Sequence, residues 1–248
     1  RNSLLSLLMD DESINSSFDI QYFHLNDESS RYPAHLDLID PSRSIKAGGY
    51  KSIESTHLEG LIHIGSWIAI TDTSLNEDNP QILLLKRSEE LVTCPSTWGL
   101  VGEHAFRNEE PIETVKRGMK EELGERFSEL VNEYGHIQNM TSTPVYYERD
   151  YGPENGNRID RQVTYLWLVE MNMEHDGDDM TTTSDEYLSL DEEVADHRWI
   201  TLSELEQWVD EDMMNEEPVK FCHDTIVSLT RLVIDRLKFM GKVARSVR

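Results

Sequence analysis

The chain has 248 residues and a formal net charge of −25, with 38% hydrophobic and 29% charged residues. These values fit one large globular domain, or one domain with extensions. The strong negative charge disfavours nucleic acid and membrane surfaces as general partners, and a phosphate-bearing small molecule would need a metal cation between it and the protein. The strongest apolar run, Leu61–Ile70, is too short to span a bilayer. We expect a soluble protein, cytoplasmic by default.

The distribution of polar residues predicts three parts. Residues 1–34 are polar and irregular and are expected to form an N-terminal extension. Residues 35–215 are expected to form the main domain, with residues 216–248 as a C-terminal helix packed on it. Cys94 and Cys222 are too few for a disulfide framework and lack the spacing of a zinc site, so we expect them to be buried or inert.

Apolar runs bounded by turn residues predict the strands. In chain order these are His35–Asp40, Leu61–Asp72, Gln81–Arg87, Trp98–Gly102, Val145–Tyr151, Arg161–Met171 and His197–Ile200. A turn is predicted around Gly48-Gly49, and Asn155-Gly156 predicts a hairpin. The acidic run at 172–193 predicts an exposed loop.

Three helices are predicted. The first begins near Pro111 and ends before Gly124, the second follows a capping box of Thr201 and Glu204, and the third is Pro218–Met240. Strands mixed with helices in this order predict an α/β (α+β) fold, an α/β/α sandwich around a mixed sheet.

The first helix has two distinct faces. Its apolar stripe is formed by Ile112, Val115, Met119 and Leu123. Gly118, Glu121 and Glu122 share another face, because they stand at spacings of three and four. Paired carboxylates after a strand and a glycine-containing loop are typical of a Mg²⁺ site, where the cation neutralises a diphosphate.

The segment GEHAFRNEEPIETVKRGMKEELGE, Gly102–Glu125, resembles the Nudix box. Five residues stand at the box spacings, namely Glu109, Arg117, Glu121, Glu122 and Gly124. LLLKR before the box and Glu192–Leu205 after it are also similar to Nudix proteins, so the resemblance covers roughly residues 35–210. It implies a Nudix-like fold that hydrolyses a diphosphate-linked small molecule, with Mg²⁺ or Mn²⁺ held by Glu121 and Glu122.

The box departs from the family pattern at three positions. Gly102 is displaced, so that Glu103 stands where the opening glycine is expected. Gly118 replaces a glutamate that ligates metal in active Nudix hydrolases, and Glu125 replaces an apolar residue. Loss of one carboxylate is expected to weaken metal binding. Glu103 or Glu109 could replace the missing ligand.

The segment Ser52–Trp67 resembles the branch that contains isopentenyl diphosphate isomerase. In that enzyme three histidines bind a metal, and their counterparts here are His57, His63 and His104. The isomerase also needs a cysteine where this chain has Gly102, and it has two acidic residues near the positions of Asp160 and Gln162. Isomerase activity is therefore not expected.

The resemblance leads to a defined set of candidate site residues. The candidate metal ligands are Glu103, His104, Glu121 and Glu122, and the candidate catalytic residues are Glu121, Glu122 and Glu193. Glu192 is an alternative to Glu193 as the water-activating carboxylate of the late loop.

Simpler interpretations remain open. The paired glutamates are also compatible with an exposed acidic helix face, and the histidines with ordinary hydrogen-bonded side chains at strand starts. Arg117 is expected to be a structural ion-pair partner of Glu113 or Glu121. The alternative function is a catalytically inactive Nudix-fold binding module, which Gly118 supports.

Overall fold

The computed structural model describes residues 18–25, 45–74, 76, 79–171 and 184–247. The strand predicted at His35–Asp40 and residues 172–183 of the predicted acidic loop lie outside these ranges. Among the described residues, no helix combines the length and the apolar character needed to cross a bilayer.

The described chain contains strands and helices in mixed order. The strands are β1 Ile20–Leu25, β2 Ile45–Lys51, β3 Ile62–Asp72, β4 Gln81–Arg87, β5 Trp98–Gly99, β6 Val101–His104, β7 Gly135–Asn139, β8 Val145–Asp150, β9 Ile159–Met171 and β10 Val194–Thr201. The helices are α1 Ile53–Leu58, α2 Pro111–Leu123, α3 Glu125–Tyr134, α4 Leu202–Met214 and α5 Asp224–Val247. Short 3₁₀ turns occur at Pro153–Asn155 and Ser184–Tyr187.

Strand β3 is the centre of a mixed sheet. It runs parallel to β9 from the pair Ile62–Arg161 to the pair Asp72–Met171. It also pairs antiparallel with β1, β4 and β6. Strand β10 extends the sheet beyond β4, and β7 and β8 both pair with β9. The predicted mixed sheet is confirmed.

Side-chain alternation along β3 separates two cores, because successive residues of a strand point to opposite faces. Ile68 and Ile70 face α2 and α3, where they pack with Met119 and Phe127. Trp67 and Ala69 face α4 and α5 on the other side, in a cluster that also contains Leu205, Val209, Leu229 and Val233. The predicted α/β/α sandwich is therefore confirmed, and β4 is covered on both faces, as its run of four apolar residues at 82–85 indicates.

Helix α2 has the predicted ends. Pro111 occupies its first turn, Glu110 and Glu113 form a capping box, and Gly124 follows its last residue with a φ of 92°. The third predicted helix begins later than expected, at Asp224 instead of Pro218. The reason is Asp212, whose carboxylate accepts the backbone N–H groups of residues 219, 220 and 221 and so holds that segment outside the helix.

One segment of the predicted N-terminal extension forms a regular strand. Strand β1 lies within residues 1–34 yet pairs with both β2 and β3. Gly48 and Gly49 lie in β2 and do not form the predicted turn. A Cβ on Gly48 would lie 2.2 Å from Cε2 of Tyr22, so glycine is required there for the close approach of an aromatic ring.

The two cysteines correct another expectation. Cys94 and Cys222 form a disulfide, with Cα atoms 5.1 Å apart. It connects the loop between β4 and β5 to the segment before α5. The two cysteines are 128 positions apart in the sequence, and the fold brings them together. The cysteines are therefore not inert.

Candidate functional site

Two short connections bring His57 and His63 together. Ser52 is the N-cap of helix α1, where its hydroxyl accepts the N–H of Ser55 at 3.2 Å, and His57 lies in the last turn of the helix. Gly60, with a φ of 59°, then reverses the chain into β3, which carries His63. The antiparallel register of β3 and β6 adds His104 opposite Gly65.

The three histidines form one compact cluster. Their ring centroids are 5.0 Å apart for His57–His63, 5.2 Å for His57–His104 and 5.0 Å for His63–His104. One ring nitrogen from each lies within 4.8 Å of the others. The structure therefore brings together the histidines that the resemblance to the isomerase branch singled out.

Asp160 on β9 completes this histidine centre. Its Oδ1 lies 3.4 Å from His63 Nε2 and 3.7 Å from His57 Nε2. Its Oδ2 accepts hydrogen bonds from the Tyr147 hydroxyl and, at 3.0 Å, from the Gln162 amide. The buried Asp160 is thus held by one oxygen while the other faces the histidines.

The tautomer of His63 shows what this centre can bind. His63 Nδ1 donates to the Leu61 carbonyl at 3.0 Å, so in the neutral ring Nε2 carries a lone pair. That lone pair faces a carboxylate oxygen, an arrangement that favours a cation between the two atoms. Among the described residues, His57 Nε2, His63 Nε2, His104 Nδ1 and Asp160 Oδ1 are buried without a hydrogen-bond partner. The donor set suits a divalent transition metal.

The electrostatics agree with neutral imidazole ligands. Burial lowers the pKa of His57 to about 4, and it also lowers the pKa values of His63 and His104. Burial alone would raise the pKa of Asp160, but the three histidines and the Tyr147 hydrogen bond outweigh it and lower that pKa. A neutral imidazole is the form that a metal ligand requires, and it is equally the form of an ordinary buried histidine.

Arg117 organises the carboxylates on the other side of β6. Its Nε donates to Glu109 at 2.9 Å, and its two terminal nitrogens contact Glu121 at 2.7 Å and the His104 carbonyl at 2.6 Å. A further contact of 3.2 Å reaches Glu103. Arg117 therefore ties α2 to the strand and the loop that carry the other box residues.

Glu122 faces a group of like charges. Burial, followed in order of effect by the negative charges of Glu103, Glu193 and Asp191, raises its pKa to about 7. Burial also raises the pKa of Glu103. Partly buried carboxylates that face one another repel unless they share a proton or a cation, and carboxylate oxygens are the ligands that Mg²⁺ and Mn²⁺ prefer.

The other predicted residues occupy various positions. Glu121 is half-exposed and paired with Arg117. Glu193 is exposed at the end of the turn that leads into β10, and its charge acts on Glu122. Glu192 is the exposed residue before it in the same turn. Gly102 is exposed on β6 beside Trp67. Glu125 pairs with Lys120 at the surface, which accounts for a charged residue where the box has an apolar one.

Tyr147 is a site residue that sequence reasoning missed. It is 4% exposed, and burial, followed by the charge of Asp160, raises its pKa well above the ordinary value. It lies opposite Gln162 in the β8–β9 register. The available signal was the hairpin at Asn155-Gly156, which aligns the two strands and brings Tyr147 beside Asp160.

Comparison with known proteins decides the family. The NUDIX domain family model matches residues 68–222, more than half of the chain. The chain belongs to the Nudix family. No curated protein matches the sequence.

Several solved structures resemble the fold at low identity. A MutT protein from Methanosarcina mazei is 16% identical, with a TM-score of 0.44 over 71% of this chain and 94% of that chain. A Deinococcus radiodurans protein is 12% identical, with a TM-score of 0.47 over 79% and 96%. A MutT/nudix family protein from Enterococcus faecalis is 18% identical, with a TM-score of 0.36. That match covers 56% of this chain and 43% of the other chain.

Proposed function

We propose that this Nudix protein is a metal-dependent hydrolase of a diphosphate-linked small molecule. Water attacks one phosphorus atom, the phosphoanhydride P–O bond breaks, and the other phosphate-bearing part of the substrate leaves. The observation that carries the proposal is the environment of Glu122, a partly buried carboxylate on which the negative charges of Glu103 and Glu193 both act, so that a cation beside it would relieve the repulsion. The net charge of −25 adds a second reason, because an anionic diphosphate would approach this surface only with a cation to neutralise it.

Each carboxylate has a distinct role in this proposal. Glu122 and Glu103 would hold Mg²⁺ or Mn²⁺, and Glu193 would accept the proton of the attacking water. The cation supplies charge neutralisation and polarisation of the phosphorus centre. Glu121 keeps Arg117 in place and stays outside the ligand set, because its side chain is half-exposed whereas that of Glu103 is largely buried.

The histidine centre is the second cation site of the proposal. His57, His63, His104 and Asp160 would supply three nitrogen ligands and one oxygen ligand. This donor set suits Mn²⁺ or another transition metal better than Mg²⁺, which prefers oxygen ligands. Tyr147 and Gln162 would orient Asp160, as the outer hydrogen-bond partners of a metal ligand do.

A product assay tests the hydrolase. Nucleotide and prenyl diphosphates are incubated with Mg²⁺ or Mn²⁺ in ¹⁸O-labelled water, and released phosphate or monophosphate is measured by mass spectrometry. We expect one ¹⁸O atom in a phosphate-bearing product, formed by the wild type and by Glu121→Gln but not by Glu122→Gln. Equal rates for the wild type and Glu122→Gln across the whole panel would contradict the proposal.

The histidine centre also favours a second candidate, a relative of isopentenyl diphosphate isomerase. It has the histidines that bind metal in that enzyme, but Gly102 stands where the isomerase has its cysteine. Deuterium uptake from D₂O into isopentenyl diphosphate separates the candidates, and we expect none. A third candidate, the inactive binding module, predicts no Mg²⁺ or Mn²⁺ binding by calorimetry in the millimolar range.

A further inference from the structure

Gly118 lies in direct contact with the side chain of Glu103. A Cβ built on Gly118 would be 3.0 Å from both Cβ and Cγ of Glu103, and 3.5 Å from its Oε2. Gly118 is buried in the middle of α2, and its φ is not in the left-handed region. The glycine is therefore explained by the close approach of Glu103 and not by backbone conformation.

The carboxylate of Glu103 has a fixed direction. It accepts the N–H of His104 at 2.9 Å, and its Oε1 lies 3.2 Å from Nη1 of Arg117. Its charge acts on Glu122, which lies one helical turn beyond Gly118. The side chain of Glu103 thus extends from β6 across Gly118. Its carboxylate lies in the space that a longer side chain at position 118 would occupy.

We propose that Glu103 on β6 supplies the cation ligand that α2 lacks at position 118, and that Gly118 leaves the space that the Glu103 side chain occupies. Relative to the family pattern, the glutamate and the glycine have thus exchanged positions, and we call this the exchange. The inference rests on the proposed function, since it assigns one ligand of the same cation site. The site then keeps its full set of carboxylates, and Gly118 is a positioning residue that admits Glu103. Restoring a glutamate at position 118 alone would crowd the site, because Glu103 already fills that space.

The exchange can be tested with Mn²⁺ as the probe. The full-length, metal-free protein is titrated with Mn²⁺ alone and bound ions are counted by electron paramagnetic resonance. Glu122→Gln identifies which class of bound Mn²⁺ belongs to the carboxylates, and anomalous scattering from soaked crystals locates the ion. Glu125→Gln, a surface glutamate paired with Lys120, is the matched control and should bind as the wild type does.

Two single changes and the double exchange give the decisive comparison. We expect Glu103→Gly to weaken this class of binding by about tenfold or more, the lower range for loss of a metal-site interaction. Gly118→Glu should bind no better than the wild type and should lower the Tm. The double variant Glu103→Gly/Gly118→Glu should return to within about threefold of the wild type, as coupled neighbouring residues do.

Several outcomes would overturn the exchange. One is that Gly118→Glu alone binds Mn²⁺ more tightly than the wild type. Another is that the double variant folds but binds Mn²⁺ as weakly as Glu103→Gly does. Glu103→Gln keeps the side-chain stem and removes the charge, so unchanged binding by this variant would also overturn it, even if the double variant does not fold. If Glu122→Gln loses Mn²⁺ while Glu103→Gln keeps it, the exchange is wrong but the proposed cation site stands. If neither change affects Mn²⁺ binding, the proposed function itself fails.

Discussion

His63 Nε2 lies 3.4 Å from Asp160 Oδ1, and the hydrogen bond from His63 Nδ1 to the Leu61 carbonyl leaves a lone pair on the side that faces the carboxylate. Two electron-rich atoms in contact inside a protein repel each other unless a proton or a cation lies between them. The relationship makes a definite prediction about metal binding.

Loss of His63 should empty the histidine centre. We expect His63→Asn to lower the affinity for Mn²⁺ or Zn²⁺ by about 100-fold, at the upper end of effects measured at metal sites. Dialysis followed by elemental analysis measures the metal content. His136→Asn is the matched control, because His136 is exposed on β7. Equal metal content in all three proteins would show that the cluster is not a metal site.

Glu122 should make metal-free protein less stable at neutral pH than in acid. Its folded pKa of about 7 lies above its ordinary value of 4.5, so the folded state holds the proton more tightly. Its contribution to stability is therefore fully present below pH 4.5 and is lost as the pH rises through about 7.

Removing the charge should remove that loss. We expect Glu122→Gln to stabilise the metal-free protein at pH 8 by about 1–2 kcal/mol, after allowance for solvent screening, and to have no effect near pH 4. Urea denaturation in EDTA at both pH values measures the difference. A constant effect of the substitution across the range would mean that Glu122 titrates normally.

The contribution of Arg117 to the stability of the fold should depend on the shape of its planar guanidinium as well as on its charge. Its separate nitrogens contact Glu109, Glu121 and the His104 carbonyl, and a lysine cannot reach all three. We expect Arg117→Lys to lower the free energy of unfolding by about 1–3 kcal/mol, because partly buried carboxylates lose their partner. Lys120→Ala, which breaks only a surface pair, should leave urea denaturation nearly unchanged. Similar effects of the two variants would contradict this role.

The disulfide should stabilise the fold. Because Cys94 and Cys222 enclose a long segment, their bond restricts the unfolded chain, and we expect Cys94→Ser/Cys222→Ser to lose about 2–4 kcal/mol. Thermal unfolding of the oxidised wild type is compared with that of the variant and of the reduced wild type, which should agree with each other. Free thiols at both positions in protein purified without reductant would contradict the bond.

Long elements with a clear pattern could be predicted from the sequence. Strand β4 has a core of four apolar residues and occurs at the predicted bounds, and α2 has its proline, its apolar stripe and its terminal glycine. Helix α1 was missed because it has only six residues, too few for a helical period to be recognised. Strand β2 was missed because its glycines resemble a turn, whereas their cause is the ring of Tyr22 on another strand.

The site could be predicted in part for the same reason. The spacing of Arg117, Glu121 and Glu122 along one helix is visible in the sequence, so the box could be recognised despite Gly118. The partners of these residues were less visible, because they come from strands distant in sequence. That Glu103 fills the space above Gly118, and that Tyr147 binds Asp160, depends on how β6 and β8 lie in the sheet.

Glu103 and His104 are consecutive residues of β6, and their side chains leave the strand on opposite faces, one towards Gly118 and the other towards His57 and His63. Only the peptide unit between Glu103 and His104 therefore separates the carboxylate site from the histidine centre. A cation bound at one centre repels a cation at the other, because the two sites are close together. This coupling is reciprocal, so each ion lowers the affinity for the other by the same factor. We expect negative cooperativity between the centres, so that the second ion binds more weakly than the first whichever centre fills first.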